Sequence, residues 1–509
     1  MSQAASERQH VSVDHPTLGK VTGLQVEPTV TQFRGIKYAT VNERFAECVI
    51  HEQKDIDATN WGPSCPQPAD GFPNEQMFIQ QGLPADSVPD DELNCLNLNI
   101  TTPKGAAGSA NPLPVLVFVH GGGLFVGADS WPHYDQAKLV ALAASRGRPI
   151  VAVNLNYRLG AVGWLASPKE GLKGNFGAND VITAFEWIHK HISGFGGDPN
   201  NITALGNSAG SSIVTALLYQ DKPLFKKIIP AGGTALLGPF ADAKTQEEKF
   251  NALAGMLGID ATRKAFEKVS VEDLTQKTPM MYLGLGVDGD LFKEAQTSTL
   301  VAQKKESWCE EIFIGNNEHD ASIMIMGLLG KLDKVSKQLP GYLKQALPEF
   351  ADDIINTYKV SEDMSQAEAL EAITSLATDV FAVATQKYLI GWPNEKRYFY
   401  RFAVPNPWDG PLKGFATHIL EVAFLFQNYN HVLSEENRQI AEKLAESIIG
   451  FMYDVPPCKP WTENPEGRED LAFGSLRSGD ARKEKILEIA DKVGYEKLSG
   501  VMMGFYFGP

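Results

Sequence analysis

Cysteine, positive charge and long apolar runs are all scarce in this chain. Five cysteines, Cys48, Cys65, Cys95, Cys309 and Cys458, lie scattered through 509 residues, too few and too dispersed for a disulfide scaffold. Lys and Arg number 46 against 62 Asp and Glu, a net charge of −16. No Lys/Arg-rich run appears. Nucleic acid and anionic membrane surfaces both need a basic patch, so neither is an expected partner. No segment offers the roughly 18 continuous apolar residues of a membrane span. The opening "MSQAASERQHVSVDHPTLGK" has no basic head followed by an apolar stretch, and the closing "FYFGP" carries no recognised address. These absences point to a cytoplasmic protein. No C-x-x-C or H-E-x-x-H occurs, so no metal or cofactor is expected. "GLGVDG" (Gly284–Gly289) matches G-x-G-x-x-G in form, but no β-branched strand precedes it, which excludes a nucleotide loop. His189 and His191 stand two apart on a predicted helix, point away from each other, and read as two solvated histidines.

What is present is an alternating α/β pattern. "VLVFV" (Val115–Val119), "PIVAV" (Pro149–Val153) and "ITAL" (Ile202–Leu205) are short, continuous, partly β-branched runs, the signature of buried parallel strands. Between them, "DVITAFEWIHKHI" (Asp180–Ile192) has helical spacing and stops at "SGFGGDPNN". "EIFIG" (Glu311–Gly315) and "RYFYRFAV" (Arg397–Val404) read as later strands. The expected organisation is one α/β domain over residues 1–509, with helical insertions at about 240–310 and 325–395.

The stretch "ITALGNSAGSSIV" (Ile202–Val214) sets Ser208 between Gly206 and Gly210 where a strand gives way to a helix. That is the pattern of a nucleophile elbow, in which only glycine fits beside the exposed serine. In a chain of this composition G-x-S-x-G arises by chance about 0.2 to 0.3 times, so it decides little alone. "HGGG" (His120–Gly123), directly after a strand, arises by chance only about 0.01 times and carries more. Glycine amides there, with the amide of Ala209 after the serine, can hold an oxyanion without side-chain obstruction. A serine nucleophile needs a histidine base and an acid, here in the chain order Ser, acid, His. Only His319, His418 and His431 follow Ser208. His319 comes too early to leave room for an acid strand, and His431 lies in a surface loop. His418 opens the apolar pattern "HILEVAFLF" and is the expected base. The turn after Glu311–Gly315 offers Glu318 and Asp320 as acids, and residue physics leaves both open.

These stretches resemble the type-B carboxylesterase family, which includes cholinesterases and some fungal lipases. The matches run along most of the chain: "FRGIKYA", "GPSCPQP", "NCLNLNI", "HGGGLFVG", "NYRLGAVGWL", "FGGDP", "GNSAG", "IGNNEHDAS" and "HILEVAFLF". The resemblance implies an α/β-hydrolase fold, with a large, mostly parallel central sheet and helices on both faces, in what would be a fungal-type intracellular member. It selects Asp320, five residues after Gly315, as the acid, although the family more often has Glu followed by Gly. It assigns Gly122, Gly123 and Ala209 as oxyanion donors. It also implies a Cys65–Cys95 disulfide, worth about 3.5 kcal/mol if oxidised, which a reducing cytoplasm would oppose. The family's Glu two residues before the second cysteine is replaced by Leu93, so its salt bridge to an arginine near Arg44 is expected to be lost. The last ~60 residues match poorly. No Trp stands between Cys65 and Cys95, only Phe72 and Phe78, which argues against acetylcholine as a dedicated substrate. The N-I-T triplets at Asn99 and Asn201 read as structural.

The function implied is a serine carboxylesterase acting on a small-molecule ester through an acyl-enzyme intermediate. Two rivals stand beside it. An acyltransferase would use the same triad with an alcohol or amine in place of water. A non-catalytic binding relative is disfavoured because all three triad residues are kept.

Overall fold

The computed structural model describes residues 9–280, 282–325, 328, 332–464, 470–476 and 480–507. Among the described residues twelve strands form one sheet, eleven on one path and Ile56–Asp57 paired beside Gly19–Glu27. From one edge the path runs His10–His15, Gly19–Glu27, Val30–Lys37, Asn97–Pro103, Val151–Leu155, Leu113–Val119, Gly197–Asn207, Lys227–Ala231, Glu311–Asn317, Arg397–Ala403 and Leu471–Gly474. The first four pairings are antiparallel, and every pairing from Val151–Leu155 onward is parallel. The three central predicted strands are present. Each extends beyond or shifts from its apolar run, because polar residues at strand ends complete the ladder without adding to the hydrophobic signal.

The parallel centre is apolar on both faces, as a sheet covered on both sides requires. One face packs against helix Phe176–His191, with Phe185, Trp187 and Ile188 buried there. The other receives helices Ala137–Ser145 and Glu435–Met452, through Leu139, Leu444 and Ile448. Inside the first layer Arg158 and Asp180 form a fully buried, bidentate ion pair at 2.7 and 2.8 Å. It ties that helix to the loop after Val151–Leu155. Such a pair resists removal of either partner because the other would be left buried and uncompensated.

Between residues 240 and 395 helices predominate, among them Ala243–Leu257, Arg263–Lys268, Val271–Lys277, Leu332–Ala346, Ala351–Tyr358 and the long Gln366–Gly391. No described helix is long and apolar enough to cross a membrane.

Several expectations change. His189 is exposed, but His191 is buried. Strand His10–His15 and the turn after it fold across the helix end, placing Thr17 Oγ1 2.8 Å from His191 Nδ1. Burial pushes the His191 imidazole down to about 4, so it is neutral. The salt bridge at Arg44 is present, not lost. Arg44 Nη2 donates to Glu92 Oε2 at 2.7 Å, one residue nearer the N-terminus than the family's position. The turn Asp91–Asn94, held by Asp91 Oδ1 accepting the Leu93 and Asn94 amides at 3.0 Å, makes up the offset. Cys65 and Cys95 are both buried free thiols, and Cys95 Sγ donates to Glu92 O at 3.8 Å. Asn99 is fully buried in its strand and accepts the Gly35 amide, so the folded chain hides that glycosylation triplet.

Candidate active site

Strand Gly197–Asn207 lies mid-sheet and stops one residue before helix Ala209–Ala216. Ser208 makes the whole turn alone, at φ 53° and ψ −120°. A non-glycine residue held there costs on the order of 1–3 kcal/mol. The flanking glycines are sterically required. A Cβ on Gly206 would come 2.6 Å from Gly210 O, and one on Gly210 would come 2.0 Å from Val119 O. The Ser208 amide donates to Ala231 O at 2.9 Å, which fixes the elbow to the next strand.

Opposite Ser208, the chain leaves strand Leu113–Val119 through His120. Gly122 and Gly123 take φ values of 87° and 64°. A Cβ on Gly121 would stand 2.9 Å from Ser208 Cβ, so the serine and the glycine turn are packed against each other. The Tyr157 hydroxyl bonds His120 O at 2.9 Å and lies 3.1 Å from Gly121 O. The His120 ring stacks on Tyr157 at 4.5 Å. Burial pushes His120 down to about 4, so it is a neutral structural ring. Among the described residues the Gly122 and Gly123 amides donate to no protein acceptor. The Ala209 amide is the first of its helix and has no acceptor within it.

Asp320 and His418 meet where strand Glu311–Asn317 ends. His418 Nδ1 lies 2.6 Å from Asp320 Oδ1. The other carboxylate oxygen, Oδ2, accepts the Asn317 amide at 3.0 Å and Asn316 Nδ2 at 3.2 Å. Glu318 instead accepts from Lys483 at 3.3 Å and lies 3.8 Å from Arg401. His319 is buried against Phe415 and accepts the Ala416 amide at 3.2 Å, and His431 is exposed. The His418 amide donates to Ser322 Oγ at 2.9 Å. Burial works to lower the His418 pKa, but the Asp320 hydrogen bond and the charges of Asp320 and Glu421 outweigh it, so the net shift is upward. His418 Nε2 has no hydrogen-bond partner among the described residues, and the histidine shares a cavity wall with Ser208.

Two residues that sequence reasoning missed complete the arrangement. Gly232, at φ 59°, lies under the Asp320–His418 pair, where a Cβ would come 3.1 Å from Asp320 Oδ1 and 3.2 Å from His418 Cε1. Glu421 is buried three residues after His418. Its carboxylate accepts Asn207 Nδ2 at 3.1 Å and also bonds Asn317 Nδ2. One carboxylate thus joins the strand before Ser208, the strand before Asp320 and the His418 segment. Burial, then the charge of Asp320, pushes Glu421 up to about 7. The available signal was an acidic residue inside the otherwise apolar "HILEVAFLF".

Two lobes open on either side of Ser208 and His418. The larger, about 470 Å³, includes Glu75, Phe78, Met280 and Tyr506 in its wall. The smaller, about 190 Å³, includes Leu237, Lys249, Leu285 and Phe381. Gly123, Ser208, Ile323, Met324 and His418 border both. Of the two aromatic residues between Cys65 and Cys95, Phe78 lines the larger lobe, whereas Phe72 packs on Trp131 at 5.4 Å.

The sequence model of the carboxylesterase family matches residues 9–497. The chain belongs to the carboxylesterase family. The match ends at residue 497, inside the last ~60 residues expected to fit poorly, and helix Tyr495–Phe507 brings Tyr506, beyond the match, to the cavity wall. The chain is similar to Lipase 3 of Yarrowia lipolytica, 28% identical across 93% of each chain. It is similar to Esterase cest-33 of Caenorhabditis elegans, 30% identical across 86% of this chain and 84% of that one. A solved structure of PNB esterase superposes with a TM-score of 0.73 at 25% identity, covering 94% of this chain and 99% of the other. This carboxylesterase-family chain is a carboxylic ester hydrolase with the α/β-hydrolase fold.

Proposed function

We propose that this carboxylesterase cleaves small-molecule esters with Ser208 as nucleophile, His418 as general base and acid, and Asp320 as the orienting acid. Ser208 Oγ bonds to the ester carbonyl carbon while His418 Nε2 takes the hydroxyl proton. The carbonyl π pair moves to oxygen, and the Gly122, Gly123 and Ala209 amides hold that oxyanion. Collapse breaks the bond to the alcohol oxygen, which takes the proton from His418. Water then repeats the cycle on the acyl-enzyme and releases the acid. Asp320 keeps the imidazole in the tautomer with its proton on Nδ1 and stabilises the imidazolium.

The observation that carries this reading is the 2.6 Å His418–Asp320 contact on the same cavity wall as Ser208. His418 Nε2 is unpartnered among the described residues, in keeping with catalytic hydrogen bonds that tighten only around substrate. The whole chain is taken as one catalytic domain whose helical stretches wall the cavity. The test is labelling with a serine-directed organophosphonate, followed by peptide mass mapping. Modification confined to Ser208, with parallel loss of ester turnover, is expected. Full turnover after Ser208 is blocked would overturn the mechanism.

A further inference from the structure

The two lobes carry opposite charges. In the larger lobe Glu75 accepts from His133 Nε2 at 2.9 Å and also from the Tyr134 hydroxyl, both on the same oxygen, Oε1. Its other oxygen has no partner among the described residues, and the residue borders the lobe. In the smaller lobe Lys249 stands in a wall that is otherwise mostly apolar, with Leu237, Pro239, Leu285, Met324 and Phe381. It projects from helix Ala243–Leu257, which is anchored by Gln246 Nε2 donating to Ala241 O and Val287 O at 3.1 and 3.0 Å. The Lys249 ammonium lies 5.6 Å from the centre of the Tyr282 ring. It forms no ion pair among the described residues. Burial alone pushes it below the usual lysine range. A half-buried ammonium with only an aromatic face beside it lacks the anion that would offset its lost hydration.

The direction of the chemistry says which part of an ester faces Lys249. The departing oxygen takes its proton from His418, and Ile419, next to that histidine, borders only the larger lobe. Ala209 and Ser212 border only the smaller one. The alcohol portion therefore leaves through the larger lobe and the acyl portion fills the smaller. We propose that the smaller lobe is an acyl site for a chain ending in a carboxylate, with Lys249 as its counter-ion, so that half-esters of dicarboxylic acids are preferred substrates. This rests on the serine-hydrolase reading above. Glu75 reinforces the orientation, because a carboxylate placed in the larger lobe would meet a like charge.

The experiment compares p-nitrophenyl hydrogen adipate with the neutral ester in which an isopropyl group replaces the free carboxylate. Both are read as kcat/KM on the full chain and on Lys249→Met, which keeps most of the apolar stem. Salt of about 0.15 M screens the long-range field of the −16 chain while leaving a half-buried contact largely intact. Lys249→Met is expected to lower the anionic-to-neutral ratio of kcat/KM by about tenfold or more, the scale of a charge-assisted contact. Lys249→Arg should keep most of the ratio. An equal fall for both esters would mean that Lys249 is structural, and an unchanged ratio would mean that no anion sits there; either overturns the proposal. A p-carboxyphenyl ester of a neutral acid, with its charge on the alcohol part, should not respond to Lys249→Met. A selective response there would reverse the lobes and also overturn it. Wild-type protein inert toward every ester would instead refute the hydrolase reading, so the two failures are distinguishable.

Discussion

Asp320 Oδ1 lies 2.6 Å from His418 Nδ1 across 98 residues of chain, whereas Glu318, two residues earlier in the same turn, accepts a hydrogen bond from Lys483. Asp320 is thereby separated from Glu318 by direction, not by chemistry. Asp320→Asn is expected to lower kcat by about four orders of magnitude, because the amide supports the wrong imidazole tautomer. Glu318→Gln should leave kcat within a few-fold and act mainly on stability. Asp320→Glu should fall between Asp320→Asn and wild type. Steady-state kinetics on the three variants check the assignment, and a dead Glu318→Gln beside a working Asp320→Asn would reverse it.

Ser208 is strained at φ 53°, so its removal has two separable effects. Both Ser208→Ala and Ser208→Gly should lose ester turnover. Ser208→Gly should also unfold at higher temperature than Ser208→Ala, because glycine relieves a backbone cost on the order of 1–3 kcal/mol. Thermal unfolding followed by circular dichroism checks this. Equal midpoints would mean that the elbow carries no strain.

The oxyanion site is probed at Gly123, which stands at φ 64° and borders both lobes. Gly123→Ala should cost about 100-fold or more in kcat, the scale for losing one donor, with a much smaller change in KM. Gly122 is the poorer probe, since its Cβ would stand 2.0 Å from Val126 O and disturb the turn itself. A Gly123→Ala enzyme within threefold of wild type would move the donors elsewhere.

The pH profile follows from His418, which must be neutral to act as base. Its pKa is raised in the folded protein. Activity should therefore be present above the raised pKa and lost as pH falls through it, with the acid limb of kcat/KM inflecting above 6.5, the ordinary histidine value. The Glu421 charge contributes to the rise, so Glu421→Gln should move that inflection to lower pH. An inflection that stays put or moves up would show that Glu421 braces the strands without affecting the base.

The Arg44–Glu92 bridge ties the Cys65–Cys95 segment to the chain near residues 266–269, because Arg44 Nη1 also donates to Phe266 O and Val269 O. Glu92→Gln leaves this mostly buried guanidinium without its counter-charge, at a cost of about 1–3 kcal/mol. The same segment carries Glu75 and Phe78 in the cavity wall. A drop in the unfolding midpoint with a rise in KM is expected, and an unchanged KM would show that the wall is held independently.

The elbow, the glycine turn, the parallel strands and the histidine before "ILEVAFLF" were all legible from the residues. Each depends on interactions within a few residues: apolar runs that need burial on both faces, and glycines where a Cβ would strike the adjacent turn. His191, Glu92 and Glu421 were not legible in this way. Their partners, Thr17, Arg44 and Asn207, lie 174, 48 and 214 residues away in the chain, and no local pattern encodes such a meeting.

By itself, then, the order of residues determined the α/β layering and the elbow that presents Ser208, because sterics and periodicity act locally. Residue physics left Asp320 and Glu318 open, and the family resemblance selected Asp320. The tertiary structure turns Asp320 to His418, and it alone decided that Glu421 joins three elements and that Glu75 and Lys249 stand in opposite lobes. Those outcomes depend on where a side chain points once distant strands and helices have packed. A carboxylate or ammonium has the same identity in sequence whether it meets a histidine, a counter-ion or an empty apolar wall.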